Sequence, residues 1–416
     1  LPLCNLEQEI YNKIKDKIDN YSKEGFRVLA VAKQNNLETI PSTLFESKLD
    51  FEGLIALYDP PRYGVKTSLS ECYSAGVRVI MITGDNGETA KGIAKKINLE
   101  NYEQVITGNE LEKMSDEELF EAVKTVNIFA RVYPNHKMRI VNALQKDNKV
   151  VAMTGDGVND APALKKSNVG IAMGERGTNV AKESADLILL DDNFNTIVKT
   201  IENGRNIYKN IKKAISYIIA IHIPIALLSL FVPMFKLPTL LLPIHVMLLE
   251  LLIDPTSSII FQRIKPSKDI MKEQPRNIKE SIINLKSVLS SISKGFLIFI
   301  VVFITYFLVS KMKDTSMAIT IAYSTLVLSI MLITYQLKGD ELTLKAFVKS
   351  FKDKVSLLVN LGVILGLIIL VYVPIFNKIA NTMPLELKWW ILIISLVLTA
   401  ILPFDIFKFI KRRKRI

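Results

Sequence analysis

The segment Met153-Thr154-Gly155-Asp156-Gly157-Val158-Asn159-Asp160-Ala161-Pro162-Ala163-Leu164 packs two carboxylates, an amide and several small residues into one strand-to-helix turn. Asp156, Asn159 and Asp160 offer hard oxygen donors of the kind magnesium takes. A helix starting near Val158 aims its first N–H groups at a phosphate, and Gly155 and Gly157 let the backbone approach a ligand that side chains would exclude. The implied chemistry is phosphoryl transfer with a magnesium ion. A second group, His222, Pro224, Glu250, Asp254 and Pro255, stands in strongly apolar surroundings. A charge at bilayer depth costs roughly 2.5–3.5 kcal/mol on insertion scales, so something must offset it there. Glu250 and Asp254 are four residues apart, hence on one helix face, and Pro224 leaves the Ala220 carbonyl without its helical donor. Two carboxylates and a freed carbonyl facing a bundle interior make a cation cradle. The plainer alternative is a carboxylate paired with His222 to hold helices together.

Elements must position these groups. The apolar run Lys149 to Met153 reads as a buried parallel strand, so Asp156 lies at a strand's carboxyl end, where open α/β sheets place their chemistry. From Gly53 the pattern runs strand, helix, strand: Gly53 to Tyr58, Gly64 to Ala75, Val77 to Ile82. Such alternation predicts a doubly wound parallel sheet. Thr83-Gly84-Asp85 follows the third element and reaches the same sheet edge as Asp156. Asn127 to Ala130 ends at Arg131, and Lys137 opens a helix after Pro134; Asn168 to Met173 and Ala185 to Leu190 complete the sheet. Ahead of it, Tyr11 to Asn20 has helical spacing and Phe26 to Ala32 is a short β-prone run.

With 416 residues and 49% hydrophobic content, the chain is too long for one small domain and too apolar for an ordinary soluble one. Beyond Ala214 the charges collect into clusters between apolar stretches near the ~20 residues a bilayer requires. Six such stretches are expected, at roughly 214–235, 240–261, 288–310, 317–337, 355–376 and 389–410. One set of flanks holds most of the lysines and arginines, among them Lys209, Lys212, Arg263, Lys345 and Lys411 to Arg415. Positive-inside reasoning puts that side, and with it the catalytic half and the C-terminus, in the cytoplasm of a multi-pass cell-membrane protein. Phe194 to Lys213 keeps helical spacing into the first span, so one helix is expected to join the two halves. A net charge of +12 without any aromatic-basic module excludes nucleic acid as partner. Cys4 and Cys72 have neither disulfide nor zinc spacing. The opening Leu1-Pro2-Leu3, with neither initiator methionine nor secretory leader, suggests a fragment.

The motif Thr154 to Leu164, together with Asp59-Pro60-Pro61-Arg62, Met81-Ile82-Thr83-Gly84-Asp85 and Ala130-Arg131-Val132-Tyr133-Pro134-Asn135-His136-Lys137, resembles in order and spacing the P-type cation-transporting ATPases, most closely their calcium-pump-like branch. The resemblance implies residues 1–50 as the end of a nucleotide-binding domain, 51–200 as the later part of a haloacid dehalogenase-like α/β phosphorylation domain, and 201–416 as an all-α transmembrane bundle. It implies Mg2+ and ATP as cofactors, a transported cation and the lipid bilayer as partners, and an aspartyl-phosphate reaction. Thr83, with Gly84 and Asp85, and Lys137 would hold phosphoryl oxygens. Asp156 and Asp160 would hold magnesium, with Asn159 beside them. Asp59, Arg62, Arg131 and Asn159 fall on the cofactor side; Glu250, Asp254 and His222 fall on the transported cation. The family's nucleophile lies in Asp-Lys-Thr-Gly, and no such sequence occurs here: Asp16-Lys17 precedes Ile18, and Asp353-Lys354 precedes Val355. The nucleophile, actuator, nucleotide pocket and early spans are therefore expected upstream in the same polypeptide, and this stretch alone is expected to be inactive. Where the calcium-pump pattern has Asn and Glu on the first span, this chain has His222 and Ile225; Glu250 and Ile253 replace Asn and Thr on the second, while Asp254 matches. Calcium or another divalent ion is the expected cargo. The competing readings are a membrane-tethered phosphatase of the same superfamily and a non-catalytic fragment.

Overall fold

The computed structural model describes all residues except 35–48, 254–258, 278–279, 313, 340 and 414–416. The chain forms two compact units, one of Leu1–Glu202 with Lys268–Glu280 and one of Asn203–Ser267 with Ser281–Ile416.

The first unit opens with α1 (Gln8–Lys23), β1 (Arg27–Lys33) and β2 (Asp50–Leu57). β1 and β2 pair antiparallel, Leu29 opposite Ile55 and Arg27 opposite Leu57. This corrects the expectation that Gly53 to Tyr58 leads the parallel sheet. The physical reason is visible in exposure: Leu29, Val31, Ile55 and Leu57 are all exposed, so this ribbon is not sandwiched between helix layers as a central parallel strand would be.

Parallel pairing begins with α2 (Val65–Ser74), β3 (Met81–Ile82), α3 (Gly87–Ile97), β4 (Val105–Thr107), α4 (Gly108–Lys113), α5 (Asp116–Ala122), β5 (Ile128–Ala130) and α6 (Pro134–Lys146). The strands lie in the order β3-β5-β4, all parallel. Alternation along β5 sends Ile128 and Ala130 to a core with Leu69, Ala90, Ala94 and Ile97, and Phe129 to a second core with Leu111, Leu119 and Ile140. Helices thus cover both faces, as a doubly wound sheet requires. Only Met81 and Ile82 of the expected strand Val77 to Ile82 join the ladder. Arg78 is used otherwise: its guanidinium donates to the carbonyls of Val123 (2.6 Å), Lys124 (2.9 Å) and Val126 (2.7 Å) and to Asn127 Oδ1 (2.6 Å).

A second parallel sheet, β6-β7-β8, follows from β6 (Ala152–Gly155), α7 (Ala161–Lys166), β7 (Val169–Met173), α8 (Asn179–Ser184) and β8 (Leu187–Leu189). β6 starts later than the expected Lys149 to Met153, and Val150 is exposed. Asn168 is the reason: its side chain accepts from Val151 N at 2.9 Å and its own N–H donates to the Val151 carbonyl at 2.9 Å, occupying this backbone ahead of the ladder. Among the described residues β3 and β6 each have a strand partner on one side only. Val141 of α6 packs into the core under β6 with Met153, Leu164 and Ala172, so α6 serves both sheets.

Among the described residues five helices are long and apolar enough to cross a membrane: α9 (Phe194–Met234), α11 (Leu285–Met312), α12 (Thr315–Lys338), α14 (Lys354–Tyr372) and α16 (Leu387–Arg413). α9 runs unbroken from the Phe194 side into the first expected span. The expected stretch 240–261 instead begins at Pro243 with the short α10 (Pro243–Leu248) and a π turn (Leu249–Ile253), and its residues 254–258 lie outside the described ones. Short helices α13 (Thr343–Ser350) and α15 (Pro374–Ala380) flank α14. α12 is the central post of the second unit, with 89% of its apolar window buried against 28–39% for the others. Three of its threonine hydroxyls are spent locally, Thr320, Thr325 and Thr334 each donating to the carbonyl four residues back. Its last carbonyls are capped by lysines of neighbouring helices: Lys213 Nζ donates to Lys338 O at 2.7 Å, and Lys408 donates to Gln336 O and, at 2.8 Å, to Gly339 O. Asp405 of α16 accepts from Thr343 N (2.8 Å) and Thr343 Oγ1 (2.6 Å), capping α13.

Pro224 frees the Ala220 carbonyl as expected, but Gly295 of α11 lies directly over it; a Cβ built there meets Ala220 O at 2.3 Å. The carbonyl counted toward a cation cradle is therefore covered by a helix crossing. Gly295→Ala should lower the thermal stability of the purified full-length protein by about 1–3 kcal/mol through overpacking. Gly362→Ala in α14, where nothing lies within 4 Å of a new Cβ, should leave stability unchanged or raise it. Melting curves in detergent compare the two.

Candidate functional site

The site is built at the carboxyl ends of β3, β5 and β6. Thr83 follows β3, with its N–H donating to Phe129 O at 2.9 Å and its carbonyl accepting from Val132 N at 3.1 Å. Its hydroxyl donates to Asp85 Oδ2 (3.2 Å) and accepts from Asp85 N (3.1 Å), a tight local turn that leaves Gly84 exposed at the tip. Asp85 O in turn accepts from Arg131 N at 2.9 Å, which pins the residue that follows β5. Arg131 sits at φ 50° and its side chain is exposed. Gly108 approaches so closely that a Cβ there would meet Arg131 O at 2.1 Å.

Beyond this turn Pro134 occupies the first position of α6, where a missing N–H costs nothing, and Lys137 follows one residue after the buried His136. Lys137 Nζ makes an ion pair with Asp160 Oδ1, the side chains being 19% and 8% exposed. The other oxygen, Oδ2, accepts from Asp156 N (3.3 Å) and Gly157 N (3.2 Å). Asp160 therefore holds the Asp156-Gly157 turn and the Lys137 ammonium at once. Gly155 makes room for it: a Cβ there would meet Asp160 Cβ at 2.4 Å and Cγ at 2.7 Å. Asp156 and Asn159 are exposed, and the Asp156 carboxylate has no hydrogen bond or ion pair among the described residues, while its carbonyl accepts from Thr178 N at 2.8 Å. The free carboxylate suits magnesium, which is held by one or two carboxylates together with phosphate oxygens and water, while the Lys137 ammonium suits the phosphate.

Asp59 is exposed and makes no described contact. Arg62 is engaged away from the Lys137–Asp160 pair, donating to the Asp192 carbonyl, and Ser68 of α2 hydrogen-bonds Asn195 at the start of α9. Asp192, which sequence reasoning missed, is 4% exposed and accepts from Gly174 N (2.6 Å), Glu175 N (3.2 Å) and Arg176 N (2.9 Å). Burial pushes its carboxyl up, yet those three N–H donors and the Arg62 charge outweigh burial and hold it below the usual aspartate range.

In the second unit His222 is exposed and its Nδ1–H donates to Ile218 O at 2.9 Å within its own helix. Glu250 is exposed on the π turn, and Asp254 lies outside the described residues. No group of three or more His, Cys, Asp or Glu side chains is gathered for a metal ion among the described residues. His245, unremarked in the sequence, is fully buried; its Nδ1 accepts from Leu242 N at 3.1 Å, and its ring lies 4.4 Å from that of Tyr323, whose hydroxyl donates to the His245 carbonyl at 3.3 Å. The signal was a histidine three residues after Leu242, with Pro243 opening the helix between them.

Residues 238–410 match the family described as cation transporting ATPase, C-terminus. Residues 7–168 and 136–201 match two families of haloacid dehalogenase-like hydrolases. A "Calcium-transporting ATPase" of Bacillus subtilis is 36% identical over 380 residues, covering 90% of this chain and 42% of that protein. "Calcium-transporting ATPase 1" of Lactococcus lactis is 34% identical, covering 97% and 46%. "Calcium-transporting ATPase type 2C member 1" of Bos taurus is 31% identical, covering 100% and 42%. The chain spans less than half the length of these relatives.

Two outcomes follow from the geometry. Gly155→Ala must displace Asp160 and should cost about 1–3 kcal/mol, read as a fall in melting temperature. Asp192→Asn should weaken hydrogen-exchange protection at Gly174, Glu175 and Arg176. Because the folded-state pKa of Asp192 is depressed, its stabilisation is complete above the unfolded value of about 3.9 and is lost only as pH falls through the lower folded value. Protection in the native protein, corrected for intrinsic exchange, should therefore persist down to about pH 4.

Proposed function

We propose that the chain belongs to the cation-transporting ATPase family whose C-terminal model matches residues 238–410, and that the whole protein is an ATP-driven cation pump working through an aspartyl phosphate. The observation that carries the reading is the partly buried Lys137–Asp160 pair, with the uncommitted carboxylate of Asp156 on the same turn as Asp160, at the carboxyl end of a parallel strand. Phosphoryl transfer spreads negative charge over three oxygens, and its catalysis consists largely of holding donors where that charge appears. Lys137 meets one oxygen with its ammonium, and Thr83 turns its hydroxyl from Asp85 to another. Asp160 keeps Lys137 and the Asp156-Gly157 amides in register. Asp156, with Asp160 and Asn159 adjacent, is the group that would hold Mg2+, which when bound neutralises developing phosphate charge. Gly84 and Arg131 are assigned to the approach for ATP, whereas Arg62 donates instead to the Asp192 carbonyl and Asp59 makes no described contact, so neither is given a part in it.

The nucleophilic aspartate belongs to a segment beyond these 416 residues, since Asp-Lys-Thr-Gly is absent from them. The one-sided strands β3 and β6 support this, each carrying a site motif at its carboxyl end and each able to accept another parallel strand. The nucleotide pocket, actuator and early spans are assigned to the same missing portion, and the present stretch alone is inactive. Residues 1–50, 51–200 and 201–416 are read as the end of the nucleotide domain, the phosphorylation domain and the membrane domain. Catalytic unit and C-terminus face the cytoplasm, with the lysine-rich flanks.

The cargo is a divalent cation, calcium by the names of the relatives, bound through Glu250 and Asp254 with His222 contributing. The π turn under Glu250 supports the reading, because such turns occur preferentially at functional sites.

In the full-length protein, ATP should label an aspartate as a hydroxylamine-sensitive acyl phosphate, and Lys137→Ala should slow its turnover roughly 10²–10³-fold. Glu250→Gln and Asp254→Asn should abolish ion-stimulated ATP hydrolysis while phosphorylation from inorganic phosphate persists. Turnover indifferent to every divalent ion would instead point to a membrane-tethered phosphatase.

A further inference from the structure

Lys137 is set in place from a direction that the phosphate chemistry does not require. His136 is 3% exposed, and its Nδ1 accepts from Tyr133 N at 3.4 Å, closing the first turn of α6. An acceptor at Nδ1 leaves the proton on Nε2, which lies 2.5 Å from Glu112 Oε2 on α4. A cap needs only the first contact. The second is a charge-assisted hydrogen bond, which fixes ring tautomer and orientation as a carboxylate does behind a metal-bound histidine.

α4 grips the same stretch twice more. Gly108 closes on Arg131 O, and Arg139 of α6 donates to Leu111 O (2.9 Å) and Met114 O (2.8 Å) at the far end of α4, and to Asp116 (3.0 Å). The turn from β5 into α6 is thus held between Thr83 on one side and α4 on the other. Lys137 is the next residue on that clamped turn, and its ammonium must reach Asp160 across to the other sheet.

We infer that Glu112 and His136 form a positioning pair that sets the first turn of α6 and thereby aims Lys137 at the transferred phosphoryl group. The inference rests on the aspartyl-phosphate reading above. Glu112 is 73% exposed at its side chain, so removing it leaves the core intact.

The test uses the full-length protein. Glu112→Ala and His136→Leu should each lower turnover at saturating ATP roughly tenfold, as loss of an orienting partner does, with the KM for ATP unchanged because Lys137 acts in the transition state. In a Lys137→Ala background neither substitution should cost anything further. Glu112→Gln, which keeps an acceptor for Nε2–H, should restore most of the rate. A loss confined to KM, or an equal loss in the Lys137→Ala background, would overturn the pair's role. Should His136→Leu fail to fold, the two Glu112 variants carry the test by themselves. A native protein that forms no acyl phosphate would defeat the pump reading, whereas normal phosphorylation with unaffected Glu112→Ala turnover would defeat the pair alone.

Discussion

The Lys137–Asp160 pair is the contact on which the catalytic unit is organised. Its two charges arrive from different sheets, Lys137 on the helix after β5 and Asp160 on the turn after β6. Neither is comfortable alone, since a charge withdrawn from water must be matched by another charge or by hydrogen bonds. Asp160 has both, taking the ammonium on one oxygen and two backbone N–H groups on the other. One carboxylate thereby fixes the course of the Asp156 turn, the reach of Lys137 and the need for glycine at 155. Features that look independent in the chain are consequences of a single electrostatic requirement.

The same requirement, that buried polar groups find partners, shapes the second unit. α12 is encased by its neighbours, so its terminal carbonyls must be satisfied by protein, and lysines from α9 and α16 reach them. Asp405 answers the complementary need of the unpaired N–H groups at the start of α13. The helix ends are thereby cross-tied at one rim, while at mid-helix the small Gly295 lets two backbones approach closely.

Much of this was legible in the residues. The turn after β6, the placing of Thr83 after β3 and of Lys137 after Pro134, and the long helix from Phe194 all followed from periodicity and turn chemistry. What escaped was partnership. The strand, helix, strand pattern says that Gly53 to Tyr58 is a strand but not that β1 is its antiparallel neighbour, because pairing direction depends on sequence-distant backbone. Arg78 looked like a strand residue until its guanidinium met the carbonyls of Val123, Lys124 and Val126 and the Asn127 side chain. Pro224 predicted a freed carbonyl correctly, yet no local signal announced that a glycine 71 positions later would cover it. Glu112 and His136 are likewise separated by 24 residues, and nothing in either neighbourhood names the other.

The one-sided strands β3 and β6 carry a further consequence. A sheet edge whose N–H and C=O groups face no partner is a template for any extended chain, and native proteins disarm such edges with lysines, prolines, bulges or a covering helix. β3 is Met81-Ile82 and β6 is Ala152-Met153-Thr154-Gly155, with none of those safeguards within either strand. Left uncovered, such edges invite self-association, so covering them is a condition on folding as well as on the site.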